Sequence, residues 1–161
     1  MVPPMKTVTH ATLADLAAEA AAAPRRRKNR NLHEHLDDPI QRLLNALEPG
    51  TYIRPHRHPD GVWELFTLLS GACSILVFDA QGVVTQRVDL AQDGTLAAEI
   101  PAGAWHGVVA RRPGTVVIEV KPGPYVPGSF AAWAPEEGSD GAATCLDWLQ
   151  RAQVGESFGH D

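Results

Sequence analysis

Gly50-Thr-Tyr-Ile-Arg-Pro-His56-Arg-His58-Pro-Asp-Gly-Val-Trp-Glu64-Leu-Phe-Thr-Leu-Leu-Ser-Gly71 sets two histidines two residues apart, follows them with a carboxylate and carries a glycine at each end. Side chains alternate along a strand, so His56 and His58 share a face. Neutral imidazole and carboxylate are the donors that borderline and hard divalent cations take. The stretch therefore predicts a metal site with the rest of the chain built around it as a barrel.

On either side the sequence breaks into short β-prone runs separated by turn residues. The runs 41–47, 51–58, 63–70, 72–79, 83–90, 95–100, 105–110 and 115–121 are punctuated by Pro49-Gly50, Pro59-Asp60-Gly61, Gly71, Ala80-Gln81-Gly82, Gln92-Asp93-Gly94, Pro101-Ala102-Gly103 and Arg112-Pro113-Gly114. Close turn spacing with no helix between the runs describes an all-β antiparallel sandwich or barrel. A helix is expected at each end. At 12–23, Thr12 caps and Leu13, Leu16 and Ala20 share a face before Pro24 stops it. At 142–153, Cys145, Leu146 and Leu149 form one side. Residues 1–8 read as a disordered leader, the basic run Arg25-Arg26-Arg27-Lys28 with Arg30 as a solvated connector, and 122–135 as too rich in Pro and Gly for regular structure; the last residues should be loose. The organisation is then 1–28 leader and helix, 29–127 barrel, and 128–161 C-terminal extension.

With 161 residues, the chain suits one domain with tails. Its 44% hydrophobic and 20% charged residues are those of an ordinary globular protein, and the net charge of −5 argues against nucleic acid or an anionic membrane as partner. No run reaches the ~18 apolar residues of a membrane span, and the N-terminus lacks a secretory pattern, so the expected location is cytoplasmic. Cys73 and Cys145 read as free thiols.

A second element adds to the first: Pro101-x-Gly103-x-x-His106 supplies another imidazole from a later hairpin. Together the two resemble the signature motifs of the cupin superfamily, whose first motif runs glycine, five residues, His-x-His, three or four residues, Glu, six residues, glycine. Here five residues rather than four separate His58 from Glu64, an excess the Pro59-Asp60-Gly61 turn absorbs. Gly94 lies one residue farther from Pro101 than usual, and Ala110 stands where the second motif closes on Asn. The resemblance implies a jelly-roll barrel with metal ligands His56, His58, Glu64 and His106 and one divalent transition metal (Fe, Zn, Mn, Ni or Co). Such a set leaves open positions for water or substrate.

Over most of 6–127, Asn31-x-His33, Asp38-x-x-Gln41-Arg42, Pro49-Gly50-Thr51-Tyr52, Pro55-His56-Arg57-His58, Trp63-Glu64-Leu65 and Pro101-x-Gly103-x-Trp105-His106 resemble the WbuC-type cupin-fold metalloproteins, a family associated with bacterial surface-polysaccharide gene clusters. The resemblance leaves the substrate open; the open coordination positions, with Arg54 near them, point to an enzyme on a small sugar-related or carboxylate substrate, such as an isomerase or epimerase. A non-haem iron dioxygenase and a non-catalytic sugar-binding or assembly factor are the alternatives. By the same resemblance the chain is a homodimer.

Strand parity extends the site. Tyr52 and Arg54 alternate with His56 and His58, so they point inward unless Pro55 disturbs the pleat; Arg54 is then a clamp for substrate carboxylate or phosphate. Phe66 shares the Glu64 face as an apolar wall. Glu119 alternates with Val117 and Lys121 against Val116, Ile118 and Val120; the apolar set should face the core, leaving Glu119 outward, whereas an inward Glu119 is a general acid or base. Asn31 and His33 precede the barrel. They either fold over its mouth, to contact substrate or donate a proton, or belong with His35 to a solvent-facing connector.

Overall fold

A computed structural model describes residues 1–159. The chain runs through α1 (His10–Ala22), β1 (Arg27–Asn31), β2 (Ile40–Leu47), β3 (His56–Arg57), β4 (Glu64–Ser70), β5 (Ala72–Phe78), β6 (Val84–Ala91), β7 (Ala97–Ile100), β8 (Trp105–Ala110), β9 (Thr115–Pro122), β10 (Ser129–Phe130) and α2 (Gly141–Arg151). Among the described residues these strands form two antiparallel five-stranded sheets, ordered β1-β2-β9-β4-β7 and β10-β3-β8-β5-β6. The architecture is a jelly-roll sandwich with a short helix near each end. Among the described residues no helix is long and apolar enough to cross a membrane.

The sandwich has four layers. Leu13, Leu16 and Ala20 of α1 pack on Leu44, Ala46 and Val116, so the helix covers the outer face of the first sheet. Cys145, Leu146, Trp148 and Leu149 of α2 pack on Leu76, Phe78, Val84 and Val109 of the second. Between the sheets lie Leu68, Cys73, Ile75, Leu90 and Val117. Central strands are thus buried on both faces, which is why Ser74-Ile-Leu-Val-Phe and Thr115-Val-Val-Ile-Glu-Val read as nearly continuous apolar runs. Gly71, at the β4–β5 turn, has φ 74°, and a Cβ there would lie 2.5 Å from Thr115 Cα. The closing glycine of the first motif is therefore required by both conformation and close approach.

Several expectations need correction. Helix α1 begins earlier than 12–23, because Thr9 is its cap: the Thr9 hydroxyl accepts the Thr12 N–H at 3.1 Å and Thr12 Oγ1 accepts the Thr9 N–H at 3.2 Å. The basic run is not a solvated connector. Its second half is β1, paired from Arg27↔Leu47 to Asn31↔Leu43, and long charged side chains suit such a sheet edge. Arg25 and Arg27 both bond Glu137, with contacts of 2.7 and 2.9 Å. Of the expected strand 51–58 only His56–Arg57 pairs, since the Pro55 nitrogen has no hydrogen to give a ladder.

In 122–135 the short β10 pairs with β3. The C-terminal residues are held, with the Gly155 N–H on the Val84 carbonyl and the Val84 N–H on the Glu156 carbonyl, each at 2.8 Å; His160 and Asp161 lie outside the described residues. Residues 1–8 are in neither helix nor strand, and the Lys6 ammonium meets the Leu32 carbonyl at 2.7 Å. Both cysteines are free and buried.

Candidate metal centre

The β3–β8 pairing sets His56 directly opposite His106, and His58, just past the end of β3, lies beside them. One ring nitrogen from each of the three histidines lies within 4.8 Å of the other two. Glu64, at the start of β4, reaches across from the other sheet, its Oε2 3.1 Å from His58 Nε2 and 3.1 Å from His106 Nε2.

The tautomers follow from the backbone. His56 Nδ1 lies 3.0 Å from the Arg54 carbonyl and His106 Nδ1 2.9 Å from the Ala104 carbonyl. A carbonyl only accepts, so both Nδ1 atoms carry hydrogen and, in the neutral rings, both Nε2 atoms present lone pairs. Burial, with the charge of His106 next, lowers the His56 pKa to about 4, so its ring is neutral near pH 7. Burial also works against ionising Glu64, but His106, His58 and Lys121 outweigh it and hold the carboxyl well below its ordinary range. His106 Nε2 is buried without a hydrogen-bond partner; Glu64 Oε2 is near but out of line. A lone pair and a carboxylate oxygen facing each other at that distance repel unless a proton or a cation lies between or beside them, and a bound metal would supply that charge. The donor set is thus chemically suited to a divalent transition metal.

These groups open onto a cavity of about 110 Å³ between the sheets. Leu47, Ile53, Phe66 and Val108 form its apolar wall; Asn45, Glu119 and Lys121 join the histidines and Glu64 on the polar side. Phe66 is a wall, as its parity with Glu64 indicated. Glu119 is inward, which corrects the outward placement: the apolar residues opposite it, Val116 and Ile118, pack under α1 rather than between the sheets. It is 5% exposed, and its Oε1 accepts a hydrogen bond from Asn45 Nδ2 at 2.8 Å. Burial, then the charge of Glu64, pushes its carboxyl well above the ordinary carboxylate range. The Lys121 ammonium stands 3.5 Å from Glu64 Oε1.

Other residues singled out in the sequence lie elsewhere. Arg54 turns outward, giving Nη2–H to the Ala131 carbonyl at 3.2 Å and stacking on Phe130, 5.2 Å from the ring centre. The residue facing the cavity there is Ile53, because the pleat assumed for 51–58 does not extend past Pro55. Tyr52 is buried beside α2, its hydroxyl donating to the Pro135 carbonyl at 2.8 Å. Asn31 is exposed at the end of β1, and His33 is buried against the Arg42 backbone, neither lining the cavity; His35 is exposed. Asn45 and Lys121 were missed as site residues. Lys121 carried a signal, its parity with Glu119, whereas Asn45 in a largely apolar strand carried none, since Gln41 has the same parity and bonds loop carbonyls instead.

Residues 8–90, just over half of the chain, match the sequence profile of a family described as a domain of unknown function, DUF6016. No curated protein matches the sequence. Among solved structures the chain is similar to KdgF from Halomonas sp., at 18% identity and TM-score 0.50 over 65% of this chain and 85% of that one. It is similar to a cupin 2 domain-containing protein from Halorhodospira halophila, at 13% identity and TM-score 0.53 over 81% and 85%. The capsular polysaccharide assembling protein CapF from Staphylococcus aureus matches at 19% identity and TM-score 0.51, over 63% of this chain but 29% of that one. At these identities the likeness concerns the fold. The chain belongs to the DUF6016 family and is built on the cupin fold.

Proposed function

We propose that the chain is a metal-dependent enzyme of the isomerase or epimerase type acting on a small polar substrate, with His56, His58, His106 and Glu64 holding one divalent transition metal. The observation that carries this reading is a single cavity in which a three-imidazole cluster and a buried carboxyl, Glu119, share the same walls. When bound, such a metal supplies Lewis-acid polarisation of a substrate oxygen. The remaining work falls to side chains. Asn45 holds Oε1 of Glu119 by a hydrogen bond, which leaves Oε2 to give a proton to substrate and take it back. Leu47, Ile53, Phe66 and Val108 keep bulk water from the proton in transit.

The motif resemblance to WbuC-type proteins supports a substrate from bacterial surface-polysaccharide metabolism. The shared fold with CapF is in keeping with that assignment. The test is elemental analysis of the purified protein combined with wash-in of solvent deuterium into hydroxy-carbonyl and sugar-derived candidates. One equivalent of metal and exchange at one carbon are expected, with Glu119→Gln keeping the metal but slowing exchange by about 10²–10⁴-fold. Absence of bound metal, or exchange untouched by Glu119→Gln, rejects the reading.

A further inference from the structure

Among the described residues Lys121 is the one Lys or Arg that lines the cavity, and it also lines a neighbouring depression with Gln41, Val62, Tyr125 and Val126. The two concavities share His58 and Lys121 among their lining residues, so this side chain borders both. Its side chain is 15% exposed, and its carboxylate neighbour Glu64 is at a loose 3.5 Å. Glu64 is also within 3.1 Å of two imidazoles, so its charge is shared.

The charge of the cavity then has a fixed sign. With three neutral imidazoles, a divalent ion and the Lys121 ammonium together outweigh Glu64, and they still do so if Glu119 is ionised. Buried positive charge without a counter-charge is costly. A ligand that supplies the missing negative charge is favoured over a neutral one of the same shape. The cavity, at about 110 Å³, admits only a few heavy atoms; a carboxylate carried on a hydroxylated carbon fits that size and offers the metal an oxygen as well.

We infer that the substrate is a small carboxylate, or presents a carboxylate end to the cavity, and that Lys121 is the residue that binds this group. This rests on the metal reading above and deepens it. It also moves the anion-binding role from Arg54, which stacks on Phe130 outside the cavity, to a residue inside.

The test uses the full-length protein loaded with cobalt(II), whose visible absorption reports ligands near the metal without any turnover. Cobalt stoichiometry is measured first, and then glycolate, the neutral isostere glycolamide and inorganic phosphate are titrated. Glycolate should bind at least about tenfold tighter than glycolamide, as a charge-assisted hydrogen bond implies. Lys121→Met should shrink that margin at full cobalt occupancy, weakening glycolate far more than glycolamide, and Lys121→Arg should restore most of it. Lys121→Gln serves the same purpose if thermal melting shows the Met variant unfolded. Equal affinity for glycolate and glycolamide, preference for phosphate, or undiminished glycolate binding without the ammonium overturns the inference while leaving the metal intact. Failure to take up cobalt rejects the metal reading itself, before any anion is added, and the inference falls with it because Lys121 and Glu64 then already balance.

Discussion

The two ends of the space between the sheets are built from the same strands yet differ in kind. Along β4 the inward residues are Glu64, Phe66 and Leu68; along β8 they are His106, Val108 and Ala110; along β9, read from its far end, they are Lys121, Glu119 and Val117. At one end the inward face carries charge and imidazole, and within four residues it becomes dry packing around Leu68, Cys73, Ile75 and Val117. Parity fixes which face a side chain takes. Position along the strand fixes whether that face belongs to core or to chemistry. The dry end immobilises the strands whose other ends present the histidines and Glu64, which is how a cluster of polar groups is held in place without packing of its own.

This contrast can be broken at either end. Leu68→Ala, at the dry end, removes a 4% exposed side chain and should cost about 2–5 kcal/mol of stability by denaturant unfolding. Glu119→Gln, an isosteric change at the polar end, should change stability by less than about 1 kcal/mol in the same assay. Equal costs would show that the polar end is a structural network rather than a site. Next in size, His106→Ala should weaken metal binding by more than about 100-fold while leaving the far-ultraviolet spectrum intact. Loss of fold and metal together would mean that the imidazole is needed for packing.

The smallest effect concerns neither end. Hydrogen bonding from Arg25, and then Arg27 against the opposing effect of burial, lowers Glu137 from 4.5 to about 2. Its folded pKa is depressed, so its contribution is present above the unfolded value and is lost as pH falls from about 4.5 toward 2. Because Glu137 is 36% exposed, solvent screening keeps the contribution small. Glu137→Gln should flatten the stability profile in that window alone; an unchanged profile would assign the acid sensitivity to other carboxyls.

Much of this was legible in the sequence, for reasons that differ by residue. That His56, His58 and His106 come together with Glu64 beside them was readable because the motifs restrict both residue type and spacing, and turn glycines mark where strands end. Glu119 was misplaced because parity presumes one wet face, while β9 lies between α1 and the interior. Arg54 was misplaced because the alternation inferred from His56 and His58 does not continue backward through Pro55. Strand β1 was hidden by its composition: Arg27-Lys-Asn-Arg-Asn has no apolar period, and its pairing is decided by the neighbouring strand's free edge. Asn45 becomes meaningful only when Glu119 is seen opposite its amide.

Helix α1 bears on how this protein can be handled. Its apolar stripe covers Leu44, Ala46 and Val116 on what would otherwise be a bare sheet, and the family profile begins at residue 8, just ahead of it. The two cupin motifs therefore do not delimit the smallest piece worth expressing. A cut after Pro24 strips the cover and leaves a sticky sheet, whereas a purification tag joined ahead of residue 8 extends a segment that is already exposed.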